Sequence, residues 1–205
     1  MPNPAAEIRK PAILQAAFDA ISENGLPMPS YDAIARAGGI SRQLIRHYFP
    51  DPEELMLAVC DRLAAAYRDR LMQGIIAADS HERLATFLDF YFGFLEGHGL
   101  DKPADDKVYD AVLALAAGSD RIRANLHEQY SLLRHTVAHE IQISHPSLSQ
   151  RACREIAYLF VSLMYGHWKM VASLGFSSEH NRIAREAMDR IIASYLECYF
   201  DPDLS

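Results

Sequence analysis

The sequence predicts an all-α protein: a three-helix head with a helix-turn-helix, followed by a larger helical body. No long stretch alternates apolar and polar residues with period two, so no strand is expected. The ten glycines and ten prolines gather at punctuation points. Between those points apolar residues recur at helical spacing. At 205 residues, half of them hydrophobic, the chain can bury a sizeable core and is expected to be globular.

The first helix is expected from about Glu7 to Asn24. Ile13, Ala17, Ala20 and Ile21 fall on one face, and Gly25 supplies a left-handed cap. After the loop "LPMPS", Ser30 can N-cap a short helix, Tyr31 to Ala37. Gly38-Gly39 breaks the chain, and Ser41 can cap a third helix, Arg42 to Tyr48, which Pro50 stops. In "DPEEL", Asp51 reads as an N-cap, Pro52 fits the first turn, and Glu54 stands where a capping box would have it. That fourth helix is expected to reach about Ala78. Five more follow at about 80–97, 104–117, 119–144, 147–174 and 178–199, with "GHGLDKPADD" and "ISHPSLS" as the clearest breaks. The expected division is therefore a head, 1–50, and a body, 51–205.

Charge separates the same two regions. The chain carries a net charge of -7. Residues 1–50 nevertheless hold Arg9, Lys10, Arg36, Arg42 and Arg46 against Glu7, Asp19, Glu23 and Asp32. The segment "ISRQLIRHYF", Ile40 to Phe49, has no acidic residue. This excludes a protein that coats nucleic acid over its whole surface, while allowing a local basic patch. Cys60, Cys153 and Cys198 are scattered and form no CxxC, which argues against a disulfide framework or zinc ribbon and for a reduced, cytoplasmic setting. No signal peptide is read at the start, and the most apolar run, from Ile156, is too short to span a bilayer.

"SYDAIARAGGISRQLIRHYF" reads as two short helices joined by a glycine turn. Ile34, Ala35, Ile40, Ile45 and Phe49 supply the inward face. Arg42, Gln43, Leu44, Arg46, His47 and Tyr48 are left outward or sideways. A helix of this size fits the major groove of B-DNA. Arg pairs with guanine, Gln with adenine, and Leu44 would touch a thymine methyl. His47 and Tyr48 would bond phosphates, which fix register without reading sequence. Taken from periodicity alone, a solvated amphipathic helix, or a head that binds protein, fits the same pattern.

The words "IARAGGISRQLIRHYFPDPEEL", preceded by a helix ending in Asn24-Gly25, closely resemble the N-terminal signature of the TetR family of transcriptional regulators. The resemblance covers about residues 8–60. It implies a homodimeric, ligand-responsive regulator, usually a repressor, that binds a palindromic double-stranded DNA operator and is controlled by a small molecule in its C-terminal body. Carried over by position, Arg42, Gln43, Leu44 and Arg46 are the base-reading candidates. His47, Tyr48 and Ser30 match backbone-contacting positions, and Tyr31 matches one that is often apolar and buried. The chain departs from the signature in three places. Gln43-Leu44 replaces a pair of small residues, Arg46 stands where Tyr is frequent, and Pro52 replaces a phosphate-binding Lys.

In the body, the eighth helix offers Ile156, Phe160, Leu163, Met164 and Val171, with Gly166 permitting close approach. The ninth offers Ile183, Ala187, Ile191 and Tyr195. These are either core helices of a monomer or, as the resemblance implies, a dimer interface centred on Phe160, Met164, Val171, Ile183, Ala187 and Ile191. Phe87, Tyr91, Phe94, Tyr109, Tyr130, Tyr165 and Trp168 are either core packing or the wall of an effector pocket. His135 and His139 lie four apart on one face, but no third and fourth ligand is evident, so no metal and no cofactor are expected. No GxSxG, HExxH, P-loop or dinucleotide fingerprint is present, and no enzymatic activity is expected.

Overall fold

The computed structural model describes residues 4–25, 28–77, 82–97 and 106–199. They form nine α-helices in chain order: α1 Pro4–Asn24, α2 Tyr31–Gly38, α3 Arg42–Tyr48, α4 Pro52–Ala77, α5 Arg83–Tyr91, α6 Asp106–Ala116, α7 Asp120–Ser144, α8 Gln150–Trp168 and α9 His180–Tyr199. A short π-helical turn, Lys169–Ser173, follows α8. Parts of two expected breaks, residues 26–27 and 98–105, lie outside the described residues, as does the Cys198 side chain.

The helices divide into two compact units, Met1–Ala66 with Ala104–His127, and Tyr67–Pro103 with Glu128–Ser205. The first unit is larger than the expected head of residues 1–50. Its core gathers Ile13, Ala17, Ile21, Ile34, Ile45 and Phe49 from the head, but also Leu55 and Val59 of α4, Val108 and Val112 of α6, and Ile122 and Leu126 of α7. A three-helix head has too little apolar surface to close alone. α1 packs against α6 as well as against α2.

Local chemistry sets the head's helices. Ser30 Oγ accepts from Ala33 N and Ser41 Oγ from Leu44 N, so both expected caps form. Gly39 takes φ +59°, the left-handed conformation that closes α2, and its N–H bonds back to Ala35 and Arg36 carbonyls. Asp51 Oδ1 accepts from Glu53 N at 2.9 Å as the α4 cap. The capping box does not form: Glu54 is exposed, and Glu53 instead binds Arg121 at 2.8 Å and the Ser119 hydroxyl. Asp61 accepts from Asn125 at 2.8 Å, and Arg62 donates to the Pro11 carbonyl at 2.8 Å. The first half of α4 is thereby tied to α1 on one side and α7 on the other.

Gly38 marks how closely α1 and α2 approach. A Cβ there would overlap the Ala16 Cβ, a short rigid group with no rotamer to yield. Gly38→Ala is therefore expected to lower stability by about 1–3 kcal/mol. A urea midpoint equal to that of the wild type would contradict this packing.

The second unit is built on aromatic rings. Phe87, Phe90, Phe92 and Phe160 are fully enclosed, and Tyr91 is nearly so. Phe160 stands edge-on to Phe92 at 5.9 Å and to Tyr91 at 5.6 Å. Two helices end earlier than the sequence predicts. The fifth stops at Tyr91, because Trp168 Nε1 donates to the Tyr91 carbonyl at 2.7 Å and Gly93 turns the chain at φ +79°. The eighth loses α-helical pairing at Lys169, where the π turn begins. Glu140 is buried, and its Oε1 receives Arg83 Nη2 at 2.7 Å.

Candidate nucleic-acid interface

The expected inward face of the helix-turn-helix is found inside. Ile34 and Ile45 are fully buried, Phe49 nearly so, and Ala35 and Ile40 pack partly against the same core. Burying one such side chain contributes about 1.5–3 kcal/mol. Tyr31, ambiguous in the sequence, proves structural. Its hydroxyl donates to the Phe49 carbonyl at 2.7 Å and ties the start of α2 to the end of α3. Burial, and then the charge of Asp51, push its phenol above the usual range.

Of the seven DNA-contact candidates, Ser30, Arg42, Gln43, Arg46 and His47 are exposed. Leu44 and Tyr48 take the sideways place of the two that the sequence left open. Both are half-buried and pack against the core, since in a seven-residue helix the residues beside Ile45 and Phe49 share their side. Only part of each remains for a ligand. His47 lies edge-on to Tyr48 at 5.0 Å. Arg42 Nη1 binds Asp32 Oδ2 at 3.0 Å, an exposed pair between the two helices of the motif. Lys10 lies over the Phe49 ring at 5.9 Å. The exposed side of α3 therefore presents two guanidinium groups, an amide and an imidazole, with Asp32 of α2 as an acidic partner to one of them.

A profile of bacterial regulatory proteins of the tetR family matches residues 13–59, which spans α1 to the first part of α4. Over 171 residues the chain is 25% identical to the HTH-type transcriptional regulator BetI of Escherichia coli, covering 82% of this chain and 84% of that one. A TetR transcription regulator from Haloarcula marismortui superposes with a TM-score of 0.78 at 16% identity, over 92% of this chain and 98% of that one. The chain is similar to TetR-family regulators, in its helix-turn-helix region by sequence and over most of its length by fold. It is a DNA-binding transcriptional regulator. A further TetR-like fold, a transcriptional regulator from Saccharomonospora viridis in complex with choline, superposes with a TM-score of 0.72 at 21% identity over 92% of this chain and 96% of that one.

The seven expected pocket residues are divided between the two units. Tyr109 lies on α6 in the first unit, because α6 packs against α1. The other six are in the second unit. Phe87 and Tyr91 are core, and burial, with the nearby Tyr130, raises the Tyr91 phenol strongly. Phe94 is exposed beyond the end of α5. Tyr130 and Tyr165 meet edge-to-face at 6.5 Å. An open groove of about 800 Å³ in the same unit is lined by Leu84, Leu88, Ile143, Arg185, Ile192 and Leu196, among others, and by none of the seven. Its signal in the sequence was the recurrence of Arg185, Asp189, Ile192 and Leu196 at helical spacing along α9, none of them aromatic.

The six interface candidates also divide. Phe160 and Met164 are buried within their own chain and belong to its core. Val171, Ala187 and Ile191 are half-buried, and Ile183 is 52% exposed. The exposed apolar groups of α8 are instead Tyr158, Leu159 and Tyr165, one or two positions off the expected stripe. Outside its own turn of helix, a Cβ at Gly166 would meet no atom of the described residues within 4 Å.

Cys60 is buried, and burial, then Asp61, push its thiol up to about 12. Such a thiol is inert. His135 and His139 are exposed, and among the described residues no three His, Cys, Asp or Glu side chains come together as a metal site. No helix among the described residues is long and apolar enough to cross a membrane.

Proposed function

We propose that this regulator is a ligand-controlled repressor that binds a palindromic operator as a homodimer, with the DNA-binding head at residues 1–50 and effector-binding and dimerisation functions in 51–205. The observation that carries the reading is α3. Its core side is fixed by Ile45 and Phe49, its cap by Ser41, and its open side offers Arg42, Gln43, Arg46 and His47. Arg42, Gln43 and Arg46 read base edges in the major groove, with the exposed part of Leu44 beside them. Ser30, His47 and Tyr48 hold phosphates. Arg46→Ala is expected to weaken operator binding by at least about 1 kcal/mol, the lower end for a bidentate base contact. A gel-shift titration at fixed salt measures this, and unchanged affinity contradicts the assignment. Wild-type affinity falls steeply as salt rises, because bound phosphates release counterions.

Dimerisation is supported by the exposed apolar side chains of α8 and α9, and by the need of a short recognition helix for a second half-site. The effector acts in the body by binding one head spacing better than another, and its leverage equals that difference in affinity. α4 and α7 carry the coupling, since each contributes residues to both units. The choline held by the structural neighbour makes small organic cations the first effector class to test. The aromatic faces of the second unit, Tyr130, Tyr165 and Trp168 among them, suit such a charge.

A further inference from the structure

We infer that Asp32 is a specificity-determining residue: it holds the Arg42 guanidinium in position to read one guanine. The inference rests on the reading of α3 as the base-contacting helix. Asp32 sits in the first turn of α2 and Arg42 opens α3, so the pair bridges the two helices of the motif. Arg42 Nη1 donates to both carboxylate oxygens, at 3.0 and 3.4 Å. That engages one nitrogen of the guanidinium and leaves Nη2 and Nε for a second, parallel pair of bonds. Guanine O6 and N7 offer the two acceptors that such a pair requires.

An acidic side chain beside a DNA-binding surface is otherwise costly, since it repels phosphates over a range of about 10 Å. A carboxylate in the first turn of α2 does favour that helix electrostatically. That role would be filled without reaching across the turn to Arg42. The pair adds little to folding, because its side chains are 47% and 58% exposed. Its value arises when DNA covers it. Water is then excluded, the ion pair strengthens, and an arginine with many rotamers arrives with its plane already set. Asp32 thus gives up some affinity for all DNA in return for discrimination at one base pair. As a positioning residue it acts through Arg42, not by its own contact with the base that Arg42 reads.

The test uses the full-length protein and a duplex selected from a random pool by the wild type. It adds a panel of duplexes with each base pair replaced in turn, and a scrambled duplex of equal length. Arg42→Ala is expected to flatten the preference at one base pair of each half-site by at least about fivefold. Asp32→Ala is expected to flatten the same base pair by at least about threefold, with Asp32→Asn between it and the wild type. The double variant discriminates there no worse than Arg42→Ala. Binding of the scrambled duplex is equal or tighter in Asp32→Ala, because a negative charge is gone. Equal thermal unfolding of the variants excludes a folding effect. Should Asp32→Ala shift every duplex by one common factor, with the preference profile intact, Asp32 is a mere counter-charge and the inference falls. If the Arg42→Ala profile is unchanged, the base-reading role of Arg42 falls and this inference with it. A wild type that selects no sequence at all overturns the operator reading itself.

Discussion

Ile183→Asp is expected to leave a folded 23.0 kDa monomer at micromolar concentration and to lower operator affinity by about 100-fold. Ile183 is 52% exposed on α9, so a charge there costs the isolated chain little, about 0.5 kcal/mol or less. In the proposed dimer the same position is buried against the partner, where an unpaired carboxylate is strongly unfavourable. Tyr158, at 60% exposure, and Leu159, at 37%, lie on the neighbouring helix, and open space at Gly166 lets a partner helix approach. Loss of the dimer removes the effective concentration that one half-site lends the other. Sedimentation and gel shift read the two parts. A persisting dimer, or a monomer that binds the operator as tightly as before, contradicts the interface.

Phe160→Ala is expected to act in the opposite way. Phe160 is fully enclosed, with rings of Phe87, Tyr91 and Phe92 within 6.0 Å. Truncation leaves a cavity among them and costs about 3–5 kcal/mol of stability. This is a large part of the stability of an ordinary domain. Denaturant unfolding measures the loss. At low denaturant, where the variant is still folded, dimerisation is expected to survive. An unaltered unfolding midpoint with a weakened dimer would restore Phe160 to the interface.

These two residues show where the sequence was legible. Short-range chemistry was readable: Ser30, Ser41 and Asp51 cap the helices they precede, Gly39 closes α2, and Ile34, Ile45 and Phe49 are inside. Each depends on neighbours within a few residues. The body was less legible because its faces are set by distant packing. Along α8 the apolar residues run almost all round, so periodicity did not separate Phe160, which is enclosed, from Tyr158 and Leu159, which are not. The end of α5 depends on Trp168, 77 positions away, donating to the Tyr91 carbonyl. The place of Tyr109 depends on α6 joining the first unit, which no local pattern announces.

The candidate DNA surface followed the same rule. The acid-free stretch from Ile40 to Phe49 named its location, and resemblance gave its role. Two refinements needed coordinates. Leu44 and Tyr48 lean on the core, and Asp32, ten residues before Arg42, reaches it across the glycine turn. Spacing within one helix does not reveal a pair between two.

The most direct measurement of the central claim, that α3 reads DNA for a dimeric regulator, is selection of bound duplexes from a random pool by the full-length protein. The account predicts an inverted repeat with half-sites about one helical turn apart or more, its most constrained base pairs relaxed by Arg42→Ala and Arg46→Ala. Recovery of no shared sequence, or of a site whose preferences are indifferent to both substitutions, would contradict it.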